Sequence, residues 1–176
     1  MKLYQSIVID DYNIIVSKVK NYLEKKELIN SKYAGYIPID KNELNEICPE
    51  LVRSFFKIGL TIAGSAIYRT TDNTQSPVHI DYAAYKCRIN IPIMNCEYSS
   101  TVYYKADIKE VRHQDHSKVN YIECINAVEI DRVTINNATI LRIDTPHRVI
   151  MDEARSPRIC LTIRCNPDPV VLFTKE

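Results

Sequence analysis

Between residues 12 and 26, YNIIVSKVKNYLEKK sets Ile14, Ile15, Val19, Tyr22 and Leu23 at the three- and four-residue spacing of one helix face, with Asp11 at the N-cap position. A second helical pattern runs through KNELNEICPELVRSFFKIG, where Asp40 and Glu43 resemble a capping box and Leu51, Val52, Phe55 and Phe56 form an apolar stripe suited to packing on a sheet. Pro49 predicts a kink or a break within it. From Leu60 onward the period changes. LTIAGSAIYRT, KCRINIPI, STVYY, NYIECINAVEI, RVTI, ATILRI, HRVIM and PRICLTIR are short and rich in β-branched residues, and turn-like clusters such as TTDNTQSP, MNCEYS and DEARSP separate them. Eight strand candidates after two helices, with no helices between them, predict a mainly β fold: an antiparallel sandwich or jelly roll backed by the N-terminal helices. We expect one domain over residues 1–176, with 1–58 as helical support and 59–176 as the β core.

A chain of 176 residues is long enough to remove roughly 70% of its unfolded surface from water on folding, so a sizeable core is available. The net charge of +1 and pI near 7.6 lack the basic footprint of a protein held by nucleic-acid phosphates, which argues for a small-molecule or protein partner. No apolar run approaches the ~20 residues of a membrane span, and Asp10 and Asp11 interrupt the N-terminus before a signal-peptide core develops, so a cytoplasmic location without membrane contact is expected. The six cysteines form no C-x-x-C pair and lie mostly in apolar runs, as buried reduced thiols do.

Two stretches offer metal chemistry. SPVHIDYAAY holds His79 and Asp81 at i and i+2, and VRHQDHSK holds His113, Asp115 and His116. With four His and 22 acidic residues in 176, about half of one His-x-acid pair arises by chance, so the motif decides nothing by itself. Context separates the two. On an extended strand end, residues i and i+2 project to one face, and a third ligand then comes from a strand distant in sequence. His147, opening the strand HRVIM after Pro146, lies 66 residues beyond Asp81, room for the intervening strands, but only 32 beyond Asp115. The stretch ADIKEVRHQDHSK also reads as a solvated loop that, with RTTDNTQSP, would shape specificity. His79, Asp81 and His147 are therefore the expected metal ligands, two imidazoles and a carboxylate that leave open positions on an iron ion.

HID, then PHRV on a late strand, then Arg158 in SPRICLTIR, resemble the H-x-D…H…R pattern of the iron(II)- and 2-oxoglutarate-dependent dioxygenases across roughly residues 60 to 165. The resemblance implies a double-stranded β-helix of jelly-roll or cupin type. It also implies that His79, Asp81 and His147 hold Fe(II), and that an Arg pairs with the far carboxylate of 2-oxoglutarate. The activity implied is hydroxylation of a small molecule or protein side chain by O2, with 2-oxoglutarate converted to succinate and CO2.

Arg158 is our choice for that carboxylate, because it lies 11 residues past His147, enough for one strand, a turn and an antiparallel return. Arg88, Arg142 and Arg164 are further candidates, and Tyr103 is a candidate contact to the co-substrate. Tyr82, Tyr85 and Tyr104 could also line a pocket, with Tyr82 or Tyr85 nearest the metal, although in a chain with twelve tyrosines ordinary packing explains any single one. Arg88 and Asn90 share one face of KCRINIPI and point either into the barrel or out to solvent. Two other functions compete. The six-residue spacing of Arg158 and Arg164 is that of the alkyl-lesion demethylases of the same superfamily, but the charge is near neutral and the N-x-Y segment of that family is missing. A non-catalytic jelly-roll binding module would make HID a coincidence.

Overall fold

A computed structural model describes residues 1–31, 35–71, 76–81, 83–114, 119–151 and 155–173. Three helices, α1 (Tyr12–Lys25), α2 (Lys41–Ile47) and α3 (Pro49–Lys57), accompany ten strands. These are β1 (Tyr4–Ser6), β2 (Gly35–Ile39), β3 (Thr61–Thr70), β4 (His79–Asp81), β5 (Cys87–Met94), β6 (Ser99–Gln114), β7 (Val119–Val133), β8 (Thr139–Arg142), β9 (His147–Met151) and β10 (Arg158–Asn166).

Two antiparallel sheets hold them. One runs β1-β8-β5-β10-β3-β2, and the other, β4-β7-β6-β9, closes on itself. From β3 to β10 the chain changes sheet at every connection except the β6–β7 hairpin, which is the alternation of a jelly roll. This is the mainly β, double-stranded β-helix architecture that the strand pattern and the family resemblance implied.

The first sheet has two different faces because its strands alternate. In β5, Cys87, Ile89, Ile91 and Ile93 are buried and join Ile15, Val19 and Leu23 of α1 and Leu51 and Phe55 of α3 in one core. Each such aliphatic side chain contributes about 1.5–3 kcal/mol by leaving water. The intervening Arg88 and Asn90 are left for the opposite face, toward the second sheet. Pro49 separates α2 from α3 by taking the first-turn position of α3, where its missing N–H costs nothing. Asp40 caps α2, its carboxylate accepting from Asn42 N at 2.8 Å. Asp11 does occupy the cap of α1, but in a left-handed conformation with no side-chain cap bond.

Three features depart from the pattern in the sequence. Strands β1 and β2 lie within the first 58 residues and extend the first sheet at its two ends. Both are short, and Pro38 sits in β2 because an edge strand tolerates the loss of an N–H. Residues 106–114, expected to be loop, continue β6 and pair with β7, with register shifts between Lys105 and Asp107 and between Ile108 and Glu110. Their polar character reflects a ribbon stabilised by cross-strand charge, with Lys109 and Arg112 reaching Glu123 at 3.3 and 2.9 Å, so no apolar alternation marks it as strand. Phe56, read as part of the buried stripe, is 74% exposed, whereas Phe55 is fully buried.

Phe55→Ala should therefore cost about 3–5 kcal/mol of stability in denaturant titration, and Phe56→Ala less than about 0.5 kcal/mol.

Candidate metal centre

His79 and Asp81 are the two ends of β4, so both side chains point to the same face, into the space between the sheets. His147 is the first residue of β9, and its backbone pairs directly with that of His79. The three ligand atoms come within 4.8 Å of one another. Asp81 Oδ1 faces both rings, 3.4 Å from His79 Nε2 and 4.0 Å from His147 Nε2. Of the rival set, the backbone of His113 belongs to β6, opposite Asn120, while its side chain, Asp115 and His116 lie outside the described residues.

The donor set fits a metal at the level of individual atoms. His79 Nδ1 is 2.9 Å from Pro77 O, and His147 Nδ1 is 2.8 Å from Thr145 O. A carbonyl only accepts, so each Nδ1 carries a proton, and Nε2, the atom facing Asp81, is the one left to bind a metal whenever the ring is neutral. The other carboxylate oxygen, Asp81 Oδ2, is held by Arg88 Nη2 at 2.9 Å. Tyr121, paired with Asp81 across β4–β7, stands edge-on to the His79 ring at 5.7 Å.

Electrostatics set the protonation states. Burial alone would raise the Asp81 pKa, but Arg88 and then the two histidines hold it well below the ordinary carboxylate range. Burial first, and then the neighbouring His79, depress His147 to about 4. For His79 burial acts downward too, but the hydrogen bond and charge of Asp81, with the Pro77 carbonyl, outweigh it and raise its pKa.

A cavity of about 290 Å³ adjoins the cluster, at the lower end of the range for small-ligand sites. Arg158 lines it, 1% exposed, with Nε donating to Ser99 Oγ at 2.8 Å. Arg88 and Asn90 line it too, which settles the orientation of that face of β5. Arg164 and Tyr103 are not among the lining residues. The Arg164 guanidinium packs over Gly64 and the Tyr85 ring, near the opposite end of β10 from Arg158. Tyr103 lies 6.1 Å from the His147 ring, fully buried, and its hydroxyl donates to Leu3 O at 3.1 Å, so it supports His147 and does not face the cavity. Arg142 is committed to Asp144. Of the tyrosines near HID, Tyr82 lies outside the described residues, and Tyr85 bonds Asn166 away from the cavity lining. Tyr104 donates nothing to the site, its hydroxyl accepting from Arg148 Nε.

The tyrosines that do line the cavity are Tyr36, Tyr68 and Tyr121, accompanied by Thr101 and Thr162. Proximity in sequence to Asp81 could not have found them. Tyr36 and Tyr68 are partners across β2–β3, and strand register brings them in. All six cysteines are free and buried, and none belongs to the metal cluster.

No protein-family model matches the sequence. No curated protein is similar to it in sequence. Among solved structures, the chain is similar to the non-heme monooxygenase ThoJ in a nickel complex, with 10% identity, 93% of this chain and 71% of the other covered, and a TM-score of 0.46. It is similar to AviO1 from Streptomyces viridochromogenes Tue57, with 10% identity, 92% and 88% covered, and a TM-score of 0.47. A truncated viral collagen prolyl hydroxylase from Paramecium Bursaria Chlorella virus-1 gives 10% identity, 92% and 88% covered, and a TM-score of 0.39. Likeness at this level carries no function from those proteins to this one.

One divalent metal should bind per chain, and a His79→Ala, His147→Ala double variant should lose it while keeping the wild-type circular dichroism; replacing His113 and His116 should leave stoichiometry unchanged in equilibrium dialysis. Metal and proton compete for His79, whose raised pKa makes it the first ligand to protonate as pH falls. Affinity should therefore drop about tenfold per pH unit below that pKa, with a one-proton slope until His147 begins to protonate near 4.

Proposed function

We propose that the protein is an Fe(II)- and 2-oxoglutarate-dependent oxygenase that hydroxylates a small molecule or a protein side chain. The observation that carries this is Arg158. Its guanidinium is almost wholly buried, and among the described residues no carboxylate forms an ion pair with it. A buried cation without a counter-charge is costly, and a ligand carboxylate in the shared cavity would supply one. The fork of the guanidinium suits a carboxylate through two parallel hydrogen bonds.

His79, Asp81 and His147 would hold the iron, and Arg158 the far end of the 2-oxoglutarate, so that the co-substrate spans the cavity between them. When both are bound, they supply oxidation: 2-oxoglutarate loses CO2 and takes one oxygen atom to become succinate, and the other oxygen atom enters a substrate C–H bond as hydroxyl. The chain's own residues orient and exclude water. Among the described residues, Thr101 Oγ1 and Asn90 Oδ1 are buried on the cavity wall without hydrogen-bond partners, and a ligand's polar groups would satisfy them there. Leu141, Ile143 and Val149 supply apolar lining, and Arg69 and Thr162 further polar groups.

The demethylase alternative would need Arg164 beside the lesion, and its position over Gly64 and Tyr85 does not favour it. Three ligands converging from two strands on a cavity that also holds a buried Arg likewise disfavour a binding module in which HID is a coincidence.

Arg158→Ala should retain the metal but raise the 2-oxoglutarate concentration for half-maximal succinate formation by about 30-fold or more, the usual consequence of removing one partner of a buried charge pair. An unchanged 2-oxoglutarate dependence would shift the role to another cavity residue, and absence of succinate from iron-loaded wild-type protein would remove the oxygenase assignment.

A further inference from the structure

Asp81 has two oxygens, and the structure treats them differently. Oδ1 faces His79 Nε2 and His147 Nε2, while Oδ2 accepts from Arg88 Nη2 at 2.9 Å. Arg88 is well fixed for this task. It belongs to the cavity face of β5, between the buried Cys87 and Ile89, and its guanidinium lies 5.9 Å from the Tyr36 ring. The Arg88 and Asp81 side chains are only 15% and 16% exposed, so water competes weakly for their contact.

We propose that Arg88 is a positioning residue that confines Asp81 to a single metal-binding oxygen. The inference rests on the metal-site reading above and adds to it a reason for the pair. A carboxylate binds a metal through one oxygen or through both. With two imidazoles and a one-oxygen carboxylate, a six-coordinate ion keeps three positions for ligands from solution, whereas a two-oxygen carboxylate leaves two. A keto-acid held through two atoms fills two positions, so the third, where oxygen would enter, exists only while Asp81 is restricted. The charge-assisted bond from Arg88 competes with a second metal contact for Oδ2, the oxygen that does not face the two imidazoles. Because Arg88 acts from beside the ligand, its effect is on the number of open positions and not on whether metal binds.

Water-proton relaxation on the Mn(II)-loaded protein counts coordinated waters directly and needs no turnover. In wild-type protein, 2-oxoglutarate should displace part of the Mn(II)-bound water and leave a residual enhancement. Arg88→Met should bind Mn(II) stoichiometrically with relaxation enhancement per ion lower by about one third, and its residual enhancement with 2-oxoglutarate should vanish. Arg88→Lys keeps a donor in place and should recover part of both. Wild-type relaxation in Arg88→Met overturns the proposal, as does loss of Mn(II) from both variants in correctly folded protein, because Arg88 would then govern affinity. If 2-oxoglutarate displaces no water from the wild-type protein, the co-substrate assignment fails separately, and the comparison without 2-oxoglutarate still tests Arg88.

Discussion

The site depends on one backbone pairing. Strand β4 is three residues long, held along one edge by β7 and along the other by the single bridge between His79 and His147. That bridge closes the second sheet and, by the same contact, brings together two residues 68 positions apart in the chain. Closure and ligand placement are thus one event. The ring centroids end 4.7 Å apart, near enough for both Nε2 atoms to face one carboxylate.

Around that bridge, charge is distributed by strand alternation. Arg88 leaves the helix-packed core because its neighbours Cys87 and Ile89 occupy it, and Arg158 enters the cavity for the same reason beside the buried Ile159. Each cation then has a different environment. Arg88 meets Asp81, and the pair screens itself; Arg158 meets only the Ser99 hydroxyl among the described residues. The cavity is consequently asymmetric, with a metal-type donor set at one place and a buried cation at another, and its polar hydroxyls and amide stand on the wall they share.

Much of this was legible in the sequence, for identifiable reasons. Apolar period marked α1 and every strand from β3 to β10 except the three-residue β4, although it divided β7 into two, and the order of His79, Asp81, His147 and Arg158 was read from the family resemblance. What escaped was decided by partners absent from the local sequence. Strands β1 and β2 gain their identity from a sheet edge, and residues 106–114 are strand because Glu123 and its neighbours lie opposite. Tyr36, Tyr68 and Tyr121 enter the cavity through register, while nearby Tyr85 turns toward Asn166. The contact of Arg88 with Asp81 needed the geometry of two strands in different sheets.

The β6–β7 ribbon reaches past its neighbours: β9 accompanies β6 only as far as Tyr103, and β4 accompanies β7 over three residues. Three register shifts coil it, and Lys109, Glu110, Arg112 and Glu123 place both signs of charge along it. A flat apolar ribbon with such open margins would invite further strands from other molecules. Coiling spoils the straight template, and the charges would have to be stripped of water before another chain could add on. The ribbon thus sets irregular register and charge of both signs beside its exposed Ile108, Val111 and Val128, so that its open margins make a poor template for a further strand.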